Sequence, residues 1–164
     1  MPQIDFYYRV SDPTQFACRL AARVLKAGQR LFVLLPDEAA LAVFDAALWT
    51  FEPTGFVPHV RATDPLAADT PVIFDTTLPA GDLAGRVLLN LSLGIPPAFD
   101  RFDRLLELVG CAPADLDAAR DVARHYKQAG LAVVFHDMAG RKGGLPTFRR
   151  FRLGAHQMSP SANA

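Results

Sequence analysis

A single three-layer α/β/α domain, Rossmann-like and with a mainly parallel sheet, is the fold class that the sequence predicts, and three observations predict it. Strand-type and helix-type periods alternate along the chain. Several strand-type runs are apolar at consecutive positions, the mark of strands covered on both faces. The chain of 164 residues, 51% hydrophobic and 21% charged, suffices for one core and leaves no room for separate cofactor and substrate domains.

The elements follow in order. Ile4 to Val10 is aromatic and β-branched, a first strand, and Ser11-Asp12-Pro13 is a helix start with proline at the first helical position. Phe16, Leu20 and Val24 give that helix its apolar stripe to about Lys26, and Gly28 stops it. Leu31 to Leu35 is a second strand. Pro36-Asp37-Glu38 opens a second helix whose buried side, Leu41, Phe44, Ala47 and Leu48, runs to Trp49, with a turn at Pro53 and Gly55. Val57 to Arg61 is a short edge strand limited by Pro58, and Pro71 to Thr76 and Arg86 to Leu91 are buried-type strands too close together for a crossover helix. Phe99 to Val109 and Ala114 to Ala129 read as helices, Gly130 as a stop and Leu131 to Phe135 as the last strand. The domain should span residues 1–138, followed at 139–164 by a loose basic extension.

Charge and cysteine usage narrow the function. The formal net charge of zero argues against a dedicated duplex binder. It conceals an asymmetry: all 17 acidic residues lie at or before Asp137, whereas Arg141, Lys142, Arg149, Arg150 and Arg152 follow it. Cys18 and Cys111 form neither a disulfide framework nor a zinc pattern, which suits a reducing cytoplasm. The start lacks a secretory pattern and no stretch approaches 18 uninterrupted apolar residues, so a soluble cytoplasmic protein is expected.

Chemistry-bearing motifs are sparse. The first strand-to-helix turn, Val10-Ser11-Asp12-Pro13-Thr14, has no glycine, and Asp12 opposes an anion, so no nucleotide-binding loop is expected there. Gly140-Arg141-Lys142-Gly143-Gly144 follows the last strand and lacks phosphate-loop spacing. His59, His125, His136 and His156 show no metal-ligand spacing, and neither cysteine has an evident base; Cys18 fits a packing role. No catalytic residue, cofactor or metal is therefore expected.

Two features are more specific. Trp49 closes the second helix, and a second apolar cluster returns at Phe56, Val57 and Pro58; together they either cap the local core or form a protein-binding patch. On the later helix, Arg120, Arg124 and Lys127 fall on one face at i, i+4 and i+7, beside an apolar seam containing Leu116 and Ala123. That stripe reads as a solvated helix edge or as a surface for an anionic partner.

The run Ala47-Leu48-Trp49 followed by Phe56-Val57-Pro58-His59 resembles the signature stretch of bacterial DNA polymerase III chi subunits. Ile4 to Val10 resembles that family's first strand, Lys26 to Trp49 its second β-α unit, and Ala118 to Gly130 its penultimate helix, a coverage of residues 3 to 137. The resemblance implies a Rossmann-like adaptor of the clamp-loader assembly, without catalysis of its own although it belongs to a DNA polymerase complex. It implies pairing with the psi subunit and capture of the acidic-hydrophobic C-terminal tail of single-stranded DNA-binding protein, with DNA reached mainly indirectly and no membrane involved. Arginines matching Arg120 and Arg124 lie near the tail site in that family; Lys127, Leu116 and Tyr126 complete the expected site. Trp49, Phe56, Val57 and Pro58 are the expected psi contacts. This chain carries Ala123 where many relatives have an aromatic, and Tyr126 reads equally as a compensating wall or as a core residue. Two other function classes stand beside the adaptor: a nucleotide- or cofactor-dependent enzyme, and a single-strand DNA binder through Phe148-Arg149-Arg150-Phe151-Arg152, whose rings could stack on bases.

Overall fold

Asp12 and Asp37 each follow a strand and cap the start of a helix, and the β-α units so joined set the architecture. The computed structural model describes residues 2–51, 55–92 and 94–139. Pro53 and all but the first residue of the basic extension lie outside these. The elements are β1 (Gln3–Val10), α1 (Pro13–Lys26), β2 (Arg30–Leu34), α2 (Glu38–Thr50), β3 (His59–Arg61), β4 (Val72–Asp75), β5 (Arg86–Asn90), β6 (Arg104–Gly110), α3 (Pro113–Gln128) and β7 (Val133–Asp137). The Asp12 carboxylate accepts from the Gln15 amide at 3.2 Å and the Asp37 carboxylate from Ala40 at 2.8 Å, satisfying helix-start donors that have no partner within the helix. Gly28 and Gly130 stop α1 and α3 in the left-handed region, at φ +72° and +83°.

The strands form one sheet in the order β3-β4-β2-β5-β6-β1-β7, every recorded pairing parallel. Its two faces are covered separately. α1 and α2 pack Phe16, Leu20, Leu41, Phe44 and Leu48 on Tyr7, Leu31, Val33 and Leu89. α3 packs Val122, Ala123 and Tyr126 on Ile4, Phe6, Leu88 and Leu105, helped by Leu83 and Phe102 from connecting segments. This is the three-layer α/β/α domain that the alternating periods predict.

One element differs from its sequence reading. The predicted helix Phe99 to Val109 is a single 3-10 turn, Phe99–Arg101, followed by β6. Phe99, Phe102, Leu105, Leu106 and Val109 fall at helical spacing, but the strand is central and buried on both faces, so its apolar residues occupy both parities and imitate a helix stripe. The link from β4 to β5 passes over β2 without a helix, as its shortness requires.

Buried polar groups tie the layers together. The Asp5 carboxylate accepts from Arg104 on β6 at 3.0 Å and meets His136 Nε2 on β7 at 3.0 Å, pinning β1 to both neighbours. Arg86 donates to the carbonyls of Leu31, Ala67, Thr70 and Pro71; desolvation, with Arg30 nearby, lowers its pKa to about 10. Glu107 on β6 accepts from the Tyr126 hydroxyl of α3 at 2.6 Å and from Asn90 on β5 at 2.9 and 3.0 Å. Desolvation pushes the Glu107 carboxyl up to about 7, against the opposing pull of those donors.

The sign of the resulting pH dependence follows. A carboxyl raised in the folded state keeps its proton there when the unfolded chain has lost it, so Glu107 lowers stability as pH rises from about 4.5 to about 7. Urea unfolding at pH 5 and pH 8 should show the wild type losing up to about 3 kcal/mol more than Glu107→Gln across that interval. Equal losses in the two proteins would mean that the buried carboxyl does not titrate differently on folding.

Candidate protein-docking sites

The basic stripe of α3 becomes one wall of a groove. With Tyr126 directed at the sheet and about 100° per residue, Ala119 and Ala123 lie about 20° and 60° round the helix, and Leu116, Lys127, Arg120 and Arg124 spread from about 80° to 160°. The two small alanines leave space beside the sheet. Phe6 and Tyr8 of β1 and Phe135 of β7 line that space from the strand side, enclosing a cavity of about 520 Å³ with Leu116, Ala119, Arg120, Ala123, Arg124, Lys127 and Arg9. Phe135 is 48% exposed, packs on Phe6 at 5.4 Å between centroids, and carries the Lys127 ammonium 5.0 Å above its ring.

Five expected or suspected residues thus meet in one place: Leu116, Arg120, Ala123, Arg124 and Lys127. Tyr126 does not join them. It is fully buried, and of its two sequence readings the core one is correct, because its hydroxyl is needed to satisfy the carboxylate of Glu107. The apolar surface that Ala123 fails to supply comes from Phe6, Tyr8 and Phe135. Sequence reading missed these three because strand residues reveal their neighbours only once the strand order is known, although alternation along β1 already placed Phe6 and Tyr8 on one face.

The groove's cations are lightly held. Arg120 pairs with Asp117 at 3.2 Å and Arg124 with Asp121 at 3.3 Å, all four side chains being at least two-thirds exposed. Such surface pairs contribute little net stability, so either arginine can exchange its aspartate for an incoming carboxylate at small cost. A cationic rim over an aromatic floor suits a peptide that combines acidic side chains with an apolar end.

The second feature lies at the opposite end of the sheet. Trp49 and Phe56 are 56% and 63% exposed with centroids 5.4 Å apart, and Val43, on the same helix as Trp49, is 58% exposed. His59 supports the indole from below at 4.7 Å; it is buried, and its Nδ1–H donates to the Val57 carbonyl at 2.6 Å. Pro58 is half-buried. Val57 does not share the patch: at 6% exposure it packs into the α1/α2 core, since extended residues alternate sides and Phe56 takes the outward one.

Other reactive groups have structural explanations. Burial pushes the Cys18 thiol up to about 11, with Asp12 adding to the effect, which leaves it a packing residue. His136 stacks on Tyr7 at 4.8 Å and turns to Asp5, while Asp137 turns the other way to Arg9, so the adjacent pair is no base with its orienting acid. Among the described residues no group of three His, Cys, Asp or Glu is placed to hold a metal ion, and no helix is long and apolar enough to cross a membrane. The carboxylates of Asp12 and Asp37 occupy the helix starts at which a nucleotide phosphate would sit.

The chain is similar to known proteins over most of its length. Residues 1–134 match the family described as the DNA polymerase III chi subunit, HolC. The chain is 36% identical over 140 residues to DNA polymerase III subunit chi of Pseudomonas aeruginosa, covering 83% of this chain and 96% of that protein. It is 32% identical over 119 residues to the subunit chi of Haemophilus influenzae, covering 71% and 79%, and 24% identical over 138 residues to that of Escherichia coli, covering 79% and 94%. A match over most of the chain, with the predicted fold in place, shows that this protein belongs to the DNA polymerase III chi subunit family.

Proposed function

We propose that this chain is a non-catalytic adaptor of the cytoplasmic replisome, joining the polymerase III clamp-loader complex, through psi, to single-stranded DNA-binding protein on the template. Family membership carries the role in DNA replication. The observation that supports the finer reading is the α3 groove, where Arg120, Arg124 and Lys127 rim an apolar floor of Leu116, Phe6 and Phe135. On this reading the acidic residues of the tail exchange onto the arginines and its aromatic end enters the floor. The exposed Trp49–Phe56 pair, stiffened by Pro58, takes psi, because an exposed aromatic pair on a firm base offers much contact area for little loss of side-chain freedom. DNA is then reached mainly through the bound protein.

Titration of the protein with a peptide that ends in an acidic stretch followed by Ile-Pro-Phe should give saturable, salt-sensitive binding. Arg124→Glu should weaken it by about 2 kcal/mol or more, roughly thirtyfold, because it adds repulsion to a lost pair. Undiminished binding by that variant at low ionic strength would place the peptide elsewhere.

The patch has its own test. Trp49→Ala should change the urea unfolding free energy by no more than about 1 kcal/mol, since the indole is more than half exposed, yet weaken psi binding at least tenfold. Unfolding of the variant, or full retention of psi binding, would assign Trp49 to the fold alone.

A further inference from the structure

The strand wall of the α3 groove carries one cation, and its backbone is unusual. β1 is paired in register with β6 up to Tyr7↔Leu108, and pairing resumes at Val10↔Gly110, so three steps on β1 oppose two on β6. The extra residue is a bulge, and within it Arg9 adopts φ +56°, a left-handed conformation that a non-glycine residue occupies at some strain. Regular alternation would send Arg9 to the α1 side with Asp5 and Tyr7. The bulge resets the alternation: Tyr7 and Val10 both enter the α1/α2 core, whereas Tyr8 and Arg9 both line the groove.

There Arg9 lies with its guanidinium carbon 5.6 Å from the Tyr8 ring centroid and donates through Nε and an Nη to the two carboxylate oxygens of Asp137 at the end of β7. Arg9 and Asp137 are 46% and 38% exposed, so water and ligand both reach the pair. The pattern matches the helix wall, where Arg120 and Arg124 are each held by a neighbouring aspartate. The three arginines of the groove are therefore oriented by aspartates that an acidic ligand can replace.

We propose that Arg9 is a ligand-binding residue of this groove, held ready by Asp137 and transferred to an acidic side chain of the docked peptide. The bulge at Arg9 is then a binding device, and it sets a second cationic wall across from α3. This rests on the groove being the site of the acidic peptide.

The experiment is titration of the same acidic, phenylalanine-ended peptide into full-length wild type, Arg9→Gly, Asp137→Asn, the double variant and Arg124→Glu, with thermal unfolding of each. Glycine suits the left-handed backbone, so Arg9→Gly should melt no lower than wild type while binding about five- to tenfold more weakly and with a shallower salt dependence. Asp137→Asn should bind about threefold more tightly, because Arg9 no longer has to leave a carboxylate. The double variant should match Arg9→Gly. If Arg9→Gly and Asp137→Asn bind as wild type while Arg124→Glu does not, Arg9 is no binding residue and the groove reading stands. If Arg9→Gly melts much lower and Asp137→Asn weakens binding, the ion pair is structural and the proposal fails. If Arg124→Glu also binds as wild type, the groove reading itself falls.

Discussion

The hydrogen bond from Tyr126 to Glu107 determines how α3 lies on the sheet. Its acceptor is a carboxyl group buried in the middle of β6, and a second donor, Asn90, ties it to β5. A buried carboxyl left without donors is costly, so the helix must present Tyr126 inward at that height and at no other. Everything else about the groove follows from that rotation. Ala119 and Ala123 come to rest beside β1, Leu116 follows, and the cationic stripe is carried to the rim, while Asp117 and Asp121 fall just beyond it and orient the arginines. Stability is given up for this placement, since burial raises the Glu107 pKa.

The same sheet separates the two candidate surfaces. The Trp49–Phe56 patch sits beside β3 on the α1/α2 side, and the groove beside β1 and β7 on the α3 side. Six inter-strand steps of about 4.8 Å put the two sheet edges about 29 Å apart. On the proposed reading this separation is the function: two partners can be held at once without touching, and a rigid parallel sheet fixes the distance between them. An enzyme of this architecture would use the carboxyl ends of the strands near the helix starts, but Asp12 and Asp37 fill the first two such positions with their own carboxylates.

Much of this was legible in the sequence, and the failures have physical causes. Buried-type runs marked β2, β4 and β5, capping aspartates marked the starts of α1 and α2, and glycines marked the ends of α1 and α3. β6 was misread because a strand buried on both faces carries apolar residues at both parities. Spacing put the helix residues of the groove on one face, and the family resemblance pointed to a binding role for them. The strand half of the groove was not visible, because Phe6 and Phe135 become neighbours only when β7 is laid beside β1, and Arg9 reaches the groove only through a bulge that breaks the two-residue period. Val57 and Tyr126 show the converse limit: each lies next to a surface residue in the chain, and only the side on which it emerges decides that it belongs to the core.

The central claim, that one chain holds two partners at independent surfaces, is tested most directly by calorimetric titration of the acidic peptide into the protein alone and into its preformed complex with psi. The account predicts one peptide per chain in both cases, with dissociation constants equal within about twofold. Loss of peptide binding in the complex, or release of psi by the peptide, would contradict it.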